Sequence, residues 1–168
     1  KKYIKKYLRI STPEVYGSTS KKINESHIYY PNTPYAVSHA AMDMHLRIMY
    51  ENFNLPVVFI RSANFYGPGQ QLYRLIPKAI YCALTNQKFY LEGDGSFLRS
   101  FIFSDDFCEA FYKTLIRGKK GEIYHATGKE YITIKNIVRK IYNKINLDYK
   151  KYVVEGPARL IQDKAYKL

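Results

Sequence analysis

Hydrophobic and polar positions along the chain alternate between short apolar runs and stretches of helical period. The stretch KYLRIST (residues 6–12) predicts a strand, and NTPYAVSHAAMDMHLRIMYENFN (residues 32–54) predicts a long helix with Thr33 as N-cap and Pro34 in the first turn. The stretch LPVVFIRSANFYGPG (residues 55–69) has the continuous apolar character of a buried parallel strand. Strand, helix and strand in this order predict a βαβ unit.

Further helices and strands are predicted along the rest of the chain. Helices are expected over residues 72–86 and 105–117 and from Thr133 onward, a hairpin over 88–103, a strand over 121–128, and irregular structure from Tyr149 to the end. A Gly-Asp-Gly sequence marks the turn of the hairpin, and Gly118 marks the end of the second of these helices. The third carries isoleucines on one face: Ile134, Ile137, Ile141 and Ile145.

This alternation of strands and helices is typical of an α/β protein with a parallel sheet. Ligands of such sheets bind beyond the carboxyl ends of the strands. Polar residues lie at two of these ends, STPE (residues 11–14) after the first strand and RSANFYGP (residues 61–68) after the second. We therefore expect the functional site at this edge of the sheet.

Four side chains at this edge form a set suited to acid/base chemistry. Thr12 provides a hydroxyl and Glu14 a carboxylate, while Tyr35 and His39 lie one turn apart on the same face of the predicted helix. A phenol, an imidazole, a carboxylate and a hydroxyl in one crevice favour proton transfer. Taken alone, Thr12 and Glu14 also fit a turn followed by a helix start.

The composition limits the class of protein. With 168 residues and 46% hydrophobic residues, the chain can bury a core as one domain or as part of a larger one. No apolar run is long enough to cross a bilayer and no secretion signal is visible, so we expect a cytoplasmic protein that does not bind membranes. Cys82 and Cys108 lack C-x-x-C spacing and are predicted to be reduced, mostly buried thiols.

The formal net charge of +13 raises the question of nucleic-acid binding. The lysines are dispersed along the chain, with no zinc, RNP or helix-turn-helix signature beside them. A solvated, lysine-rich surface is therefore the favoured interpretation, and a substrate that carries phosphates would also suit such a field. No nucleic-acid partner is predicted.

Six motifs in one order resemble the nucleotide-sugar enzymes of the extended short-chain dehydrogenase/reductase family, and most closely the dTDP-glucose 4,6-dehydratases. They are STPEVYG, PYAVSHAAMD, RSANFYGPGQQLYRLIP, GDGSFLRSFIFSDD, GEIYHATG and RLIQDKAY. The resemblance covers nearly the whole chain. It implies the C-terminal half of a Rossmann-type parallel sheet over residues 1–66 and, over residues 67–168, a smaller mixed α/β sugar-nucleotide-binding domain that is incomplete at its C-terminal end.

The resemblance implies an oxidation at the sugar C4 carbon with NAD as cofactor, followed by elimination and hydride return. Thr12 matches the residue that hydrogen-bonds the sugar hydroxyl, and Tyr35 matches the base that takes the C4 hydroxyl proton. Glu14 matches the base that acts at C5. His39 stands where the family has a lysine beside the cofactor, so Tyr35 and His39 are also the expected NAD-binding residues.

The resemblance also implies the contacts to a nucleotide-diphosphate sugar. Asn64 matches a residue near the phosphates, and Leu75, Ile76 and Pro77 match a segment near the base. Arg99 and Arg159 match arginines on the pyrophosphate, where a guanidinium fork suits a phosphate. Without the resemblance, Arg99 would equally fit an exposed cation of a hairpin.

Two positions depart from the family pattern. Pro13 stands where the dehydratases have an aspartate that protonates the leaving C6 hydroxyl, and proline has no proton to donate. At His39 a permanent cation is lost; if about two pKa units of assistance to Tyr35 are lost with it, the rate falls on the order of a hundredfold. A nucleotide-sugar epimerase or decarboxylase is therefore a second hypothesis, and a noncatalytic nucleotide-sugar-binding homologue a third.

Other polar residues have simpler interpretations. Asp105 and Asp106 fit a helix N-cap and its first turn better than a metal site, and none is predicted. His125 on its predicted strand fits a structural role.

The 168 residues contain no Gly-x-x-Gly-x-x-Gly turn of the kind that binds the NAD pyrophosphate. We therefore expect a fragment of a longer enzyme, inactive by itself, with a sheet edge or face that the missing half covers. The resemblance implies a homodimer for the full-length protein.

Overall fold

The computed structural model describes residues 3–19, 21–158, 160 and 163–168. The strands are β1 (Tyr7–Ser11), β2 (Val57–Ser62), β3 (Asn64–Tyr66), β4 (Phe89–Glu92), β5 (Leu98–Phe103), β6 (Ile123–Ala126), β7 (Tyr131–Thr133) and β8 (Val153–Gly156). The helices are α1 (Pro34–Phe53), α2 (Leu75–Leu84), α3 (Ser104–Arg117), α4 (Ile134–Lys144) and α5 (Tyr149–Tyr152), and a short 3₁₀ helix spans Pro13–Tyr16.

A three-stranded parallel sheet in the order β1-β2-β6 forms the main layer. All six residues of β2 are buried, as its continuous apolar sequence predicts for a central strand. Ser11 lies opposite Arg61, so β1 and β2 end at the same edge of the sheet. The predicted βαβ unit and the parallel α/β fold are confirmed.

Helix α1 covers this sheet with one face. The Thr33 side chain accepts a hydrogen bond from the Ala36 amide at 3.0 Å, which caps the helix as predicted. The buried positions recur every three or four residues: Ala36, Ala40, Asp43 and Leu46. A charged residue in this apolar series is unusual, and Asp43 belongs to the site described below.

The hairpin predicted over residues 88–103 does not form, because its two strands belong to two different small sheets. Strand β4 pairs with β8 in parallel, whereas β5 lies between β3 and β7. The turn between them has positive φ at Gly93 and Gly95, as a Gly-Asp-Gly turn allows, but the two strands enter different sheets. The glycines of the turn therefore indicate where the chain turns, but they do not determine which strands pair.

The chain after Tyr149 is also more regular than predicted. It forms α5, which the Asp148 side chain caps at 2.9 Å from the Lys150 amide, and then β8. Pairing with β4 over four residues gives β8 its structure, and such a long-range partner is not visible in a local pattern.

The apolar face predicted for α4 is confirmed, because it packs into a hydrophobic core. Val138 and Tyr142 are fully buried, and all four isoleucines named above pack around them. The thiols of Cys82 and Cys108 are free. Cys82 is buried as predicted, but Cys108 is exposed because it lies on the outer face of α3.

A C-terminal segment, residues 163–168, connects distant parts of the fold. The amides of Thr19, Ile23 and Leu98 donate hydrogen bonds of 2.8 to 3.1 Å to three carbonyls of this segment. Leu168 is buried against Val15 and Ala40, and its carbonyl accepts a hydrogen bond from the Tyr131 hydroxyl. The segment therefore ties the loop after the 3₁₀ helix to β5.

The division at residue 66 remains a prediction. Strand β6, which follows that boundary, pairs with β2, which precedes it, so the chain returns to the first sheet. Within the described part of the chain, no helix has the length and apolar character required to cross a membrane.

Candidate active site

The 3₁₀ helix after β1 places Thr12 and Glu14. Thr12 is the N-cap of this helix, and its Oγ1 accepts a hydrogen bond from the Glu14 amide at 3.3 Å. Thr12 is buried and Glu14 half-buried. The interpretation of these residues as a turn and helix start is therefore locally correct, and it leaves both side chains at the carboxyl end of β1.

Tyr35, in the first turn of α1, lies against this turn. Its phenol lies close enough to the Thr12 hydroxyl for this group to lower the pKa of Tyr35, and 54% of the residue is exposed. Burial and the Glu14 carboxylate raise the pKa of Tyr35, while the Thr12 hydroxyl and the charges of Arg74 and Arg9 oppose this rise. The structure thus brings Thr12, Glu14 and Tyr35 together, with the phenol protonated at neutral pH.

His39 lies beside Tyr35, with 4.5 Å between the ring centroids. Its Nδ1 lies 3.2 Å from Nη2 of Arg9. Burial and the Arg9 charge lower the pKa of His39, and Asp43 acts in the opposite direction. The imidazole is therefore neutral at physiological pH.

Asp43, one turn further along α1, is the centre of a buried charge cluster. Its carboxylate lies 3.1 Å from Nε of Arg9 and 3.2 Å from Nη2 of Arg61, and accepts a hydrogen bond from Ser11 at 2.6 Å. Sequence reasoning missed Arg9 and Asp43. A signal existed: each is a charge within an otherwise apolar strand or helix face.

A second group of polar side chains surrounds Tyr166. Asn64 donates a hydrogen bond from Nδ2 to the Tyr166 hydroxyl at 3.2 Å. Burial raises the pKa of Tyr166, and the Glu14 charge adds to the rise while Arg99 opposes it. The Glu14 carboxylate thus acts on both Tyr35 and Tyr166, and Asn64 contacts the second of these tyrosines. Tyr166 is a further residue that sequence reasoning did not identify.

Arg99 is buried rather than exposed, so its interpretation as a surface cation is wrong. Its guanidinium donates hydrogen bonds to the carbonyls of Leu98, Asp163 and Lys164, at 2.8, 2.8 and 3.3 Å. The same group stacks 4.5 Å from the centre of the Tyr166 ring. Arg99 thus holds the C-terminal segment that carries Tyr166.

The other predicted substrate residues lie at the start of α2. Leu75, Ile76 and Pro77 are half-buried in its first turn, and Arg74 precedes them close enough to affect Tyr35. Arg159 lies outside the described residues.

His125 and the acidic pair of α3 have structural surroundings. The Tyr16 hydroxyl lies 2.9 Å from Nε2 of His125, and burial lowers the pKa of this histidine to about 4. Asp105 and Asp106 occupy the first turn of α3, which begins at Ser104. No group of three or more metal-ligating side chains occurs in the described residues.

Comparison with known proteins gives consistent matches. The sequence profile described as NAD dependent epimerase/dehydratase family matches residues 1–126. Human dTDP-D-glucose 4,6-dehydratase is 41% identical over 123 residues, which are 73% of this chain and 35% of that protein.

Two solved structures share the fold over almost all of this chain. DesIV, the dTDP-glucose 4,6-dehydratase of Streptomyces venezuelae with NAD and TYD bound, matches with a TM-score of 0.92 and 33% identity over 97% of this chain and 51% of its own. UDP-glucuronic acid 4-epimerase of Bacillus cereus, in complex with UDP-glucuronic acid and NAD, matches with a TM-score of 0.90 and 25% identity. This match covers 99% of this chain and 54% of the epimerase chain. The chain therefore spans about half the length of these solved structures and about a third of the human relative.

Proposed function

The chain belongs to the NAD dependent epimerase/dehydratase family, and from this premise we propose that the full-length protein is an NAD-dependent nucleotide-sugar enzyme of the 4,6-dehydratase type. The observation that carries the proposal is the position of Tyr35, whose phenol lies close enough to both the Thr12 hydroxyl and the Glu14 carboxylate for each to shift its pKa. The phenol can serve as the base of one proton transfer, the Thr12 hydroxyl can orient the substrate beside it, and the Glu14 carboxylate can serve a second proton transfer. The similarity to the human and Streptomyces dehydratases supports this choice.

In this proposal Thr12 and Tyr35 both contact the hydroxyl on C4 of the sugar. Tyr35, as tyrosinate, takes the hydroxyl proton while the C4–H bond breaks, and Thr12 holds the oxygen in place. Glu14 then removes the proton at C5, and this proton, carried on the Glu14 carboxyl, is passed to the C6 hydroxyl so that it leaves as water. NAD, when bound, would supply the acceptor for the C4 hydride and the donor of the hydride that is returned to C6 of the dehydrated sugar.

The residues around Tyr35 fit the ribose of NAD. About half of the Tyr35 residue is exposed, and the imidazole of His39 adds an N–H donor beside it. A donor and a donor/acceptor side by side suit the paired hydroxyls of a ribose. Tyr35 and His39 are therefore the residues of this chain that we expect to hold the cofactor.

The nucleotide diphosphate is proposed to lie between Asn64, the start of α2 and Arg99. Asn64 is exposed, and Leu75, Ile76 and Pro77 offer a partly apolar surface to a base. Arg99 supplies a cation, and Arg159 is expected to supply a second one.

A second candidate, a nucleotide-sugar epimerase or decarboxylase, is favoured by Pro13. This residue is buried at the first position of the 3₁₀ helix and has no ionisable group to protonate a leaving hydroxyl. An epimerase needs only removal and return of hydride, and the Bacillus cereus epimerase shares the fold. A noncatalytic nucleotide-sugar-binding homologue is the third candidate.

The deciding experiment incubates the full-length protein and NAD with dTDP-, UDP-, GDP- and CDP-sugars and follows the products by mass spectrometry. Loss of one water from a sugar identifies a dehydratase, loss of carbon dioxide a decarboxylase, and an isomer of unchanged mass an epimerase. Binding without any product supports the noncatalytic homologue. Absence of both binding and product contradicts the proposal.

We also propose that the full-length protein is a cytoplasmic homodimer. Free thiols suit a reducing compartment. Val37, Met44 and Ile48 are exposed on one face of α1, which suits a helix packed against a second copy. Met44→Glu should convert the dimer to a monomer in light scattering.

Residues 1–168 by themselves are expected to bind NAD weakly and to show no turnover. The glycine-rich turn that binds the pyrophosphate is not part of this sequence. A micromolar dissociation constant for NAD, measured on these residues alone, would contradict this expectation.

A further inference from the structure

The position next to Tyr35 lacks a permanent charge of its own. His39 occupies it, and burial together with the Arg9 charge keeps this imidazole neutral. A base formed from a phenol depends on nearby positive charge, because an ordinary phenol ionises near pH 10. If Tyr35 works as proposed, the charge must come from another side chain.

We propose that Arg9 is the positioning residue that supplies this charge, through its contact with His39. This inference rests on the proposed function of Tyr35. Arg9 projects from β1 with its Nη2 3.2 Å from Nδ1 of His39, and His39 lies against the Tyr35 ring. A guanidinium stays protonated at every physiological pH, so the pair can act as a charged unit even though the imidazole is neutral.

Within the buried cluster, Asp43 does not cancel the charge of Arg9. Asp43 is shared between two guanidinium groups, those of Arg9 and Arg61, so one positive charge remains in the cluster. The Arg9 side chain is only 18% exposed, and its field is therefore weakly screened by solvent.

The other groups that face the pair come from three elements. Glu14 in the 3₁₀ helix raises the pKa of Tyr35, whereas Arg74 before α2 and, to a smaller extent, Arg9 lower it. Thr12 after β1 contributes an uncharged hydroxyl. Arg9 is the cation that also contacts His39, which separates its role from that of Arg74.

The contact also fixes the tautomer of His39. A guanidinium only donates hydrogen bonds, so Nδ1 must accept and the ring proton must be on Nε2. The remaining N–H is then always available to a ligand hydroxyl. Arg9 therefore determines both the charge at this position and the direction of its hydrogen bond.

The first test is independent of turnover. In full-length protein labelled with ¹⁵N-histidine, His39, assigned with a His39→Gln variant, should be the neutral Nε2–H tautomer. In Arg9→Met its titration should move to higher pH and both tautomers should be populated, whereas Arg117→Met, on the exposed end of α3, should change neither. An unaltered tautomer and titration in folded Arg9→Met would overturn the inference.

The second test concerns Tyr35. Arg9→Met should lower the rate near neutral pH severalfold, with the rates converging at high pH, because loss of a nearby cation makes the phenol harder to ionise. Adding His39→Lys to Arg9→Met should restore the rate near neutral pH. An equal loss at every pH, or no rescue in a double variant that melts like the parent, would indicate a merely structural Arg9.

Two results would need different interpretations: an Arg9→Met variant that does not fold, and a parent protein that shows no turnover. If Arg9→Met does not fold, the double variant is compared with His39→Lys alone: equal rates support interchangeable cations, and a much slower double variant contradicts them. If the parent converts no nucleotide sugar, the proposed function fails, while the histidine titration still decides whether Arg9 controls His39.

Discussion

The carboxylate of Asp43 and the guanidinium of Arg61 form an ion pair of 3.2 Å in which both side chains are fully buried. The pair joins α1 to the central strand of the main sheet. Asp43 follows His39 by one turn of α1 and Tyr35 by two. Arg61 also donates a hydrogen bond to the Ser26 carbonyl at 2.7 Å and stacks 4.5 Å from the Tyr16 ring centre. Such a pair is costly to break, because removal of one partner leaves a buried charge.

Asp43→Asn should therefore lower the free energy of unfolding by about 3–5 kcal/mol, the usual cost of leaving a buried charge without its partner. Chemical denaturation of the full-length protein measures this change. Asp105→Asn, the same substitution at an exposed position of α3, should cost less than about 1 kcal/mol. Equal effects of the two substitutions would show that the buried pair contributes nothing specific.

Tyr35→Phe should reduce turnover by roughly 10²- to 10⁴-fold, because it removes the group proposed to accept the C4 hydroxyl proton. Nucleotide-sugar affinity should change little, since the nucleotide diphosphate is proposed to lie against Asn64, the start of α2 and Arg99 rather than against Tyr35. Stopped-flow detection of NADH and calorimetry separate the two effects. Tyr112→Phe, at an exposed position of α3, is the control. A Tyr35→Phe variant as fast as the parent would refute the proposed base.

Arg99→Ala should weaken nucleotide-sugar binding by roughly 1.5–3 kcal/mol and, in addition, destabilise the fold. The second effect is expected because three backbone carbonyls lose a charged donor. Arg159→Ala should weaken nucleotide-sugar binding to the same extent, because Arg159 is proposed to bind the same pyrophosphate. Calorimetry on the full-length variants gives the affinities, and unchanged affinity in both would remove that assignment.

Acidification should destabilise the protein through His125. The histidine is held neutral, with its pKa lowered to about 4 by burial, whereas the unfolded chain takes up a proton near pH 6.5. Its contribution to stability is therefore complete above about pH 6.5 and is lost as the pH falls toward 4, on the order of 3 kcal/mol in total.

A His125→Gln variant tests this pH dependence. Its side-chain oxygen can still accept a hydrogen bond from the Tyr16 hydroxyl, which itself accepts one from the Ser26 amide. The unfolding free energy of the variant should depend less steeply on pH between 6.5 and 4 than that of the parent. Parallel curves for the two proteins would assign the acid sensitivity to other groups.

Elements with strong local patterns were predictable from the sequence. The Thr33 cap, the buried strand β2 and the isoleucine face of α4 follow from residue type and period. The pairing of β4 with β8 did not, because it joins residues about sixty positions apart through backbone hydrogen bonds that leave no side-chain signature.

The site was predictable to a similar extent. Thr12, Glu14 and Tyr35 follow motifs, and the structure brings them together. Arg9 was missed because its role depends on a contact across thirty residues. The burial of Arg99 did not follow from its position beside a turn, where a charged residue is usually exposed. The role of Arg9 and the burial of Arg99 both depend on contacts with residues that are distant in sequence.

The C-terminal segment has a consequence for hydrogen exchange. Its carbonyls are the acceptors for the amides of Thr19, Ile23 and Leu98, which belong to distant parts of the chain. Release of this one segment would unprotect all three amides together, so they should exchange with solvent at a common opening free energy. Because the same segment carries Tyr166, a ligand that holds this tyrosine in place should slow exchange at Thr19 and Ile23, which it never touches.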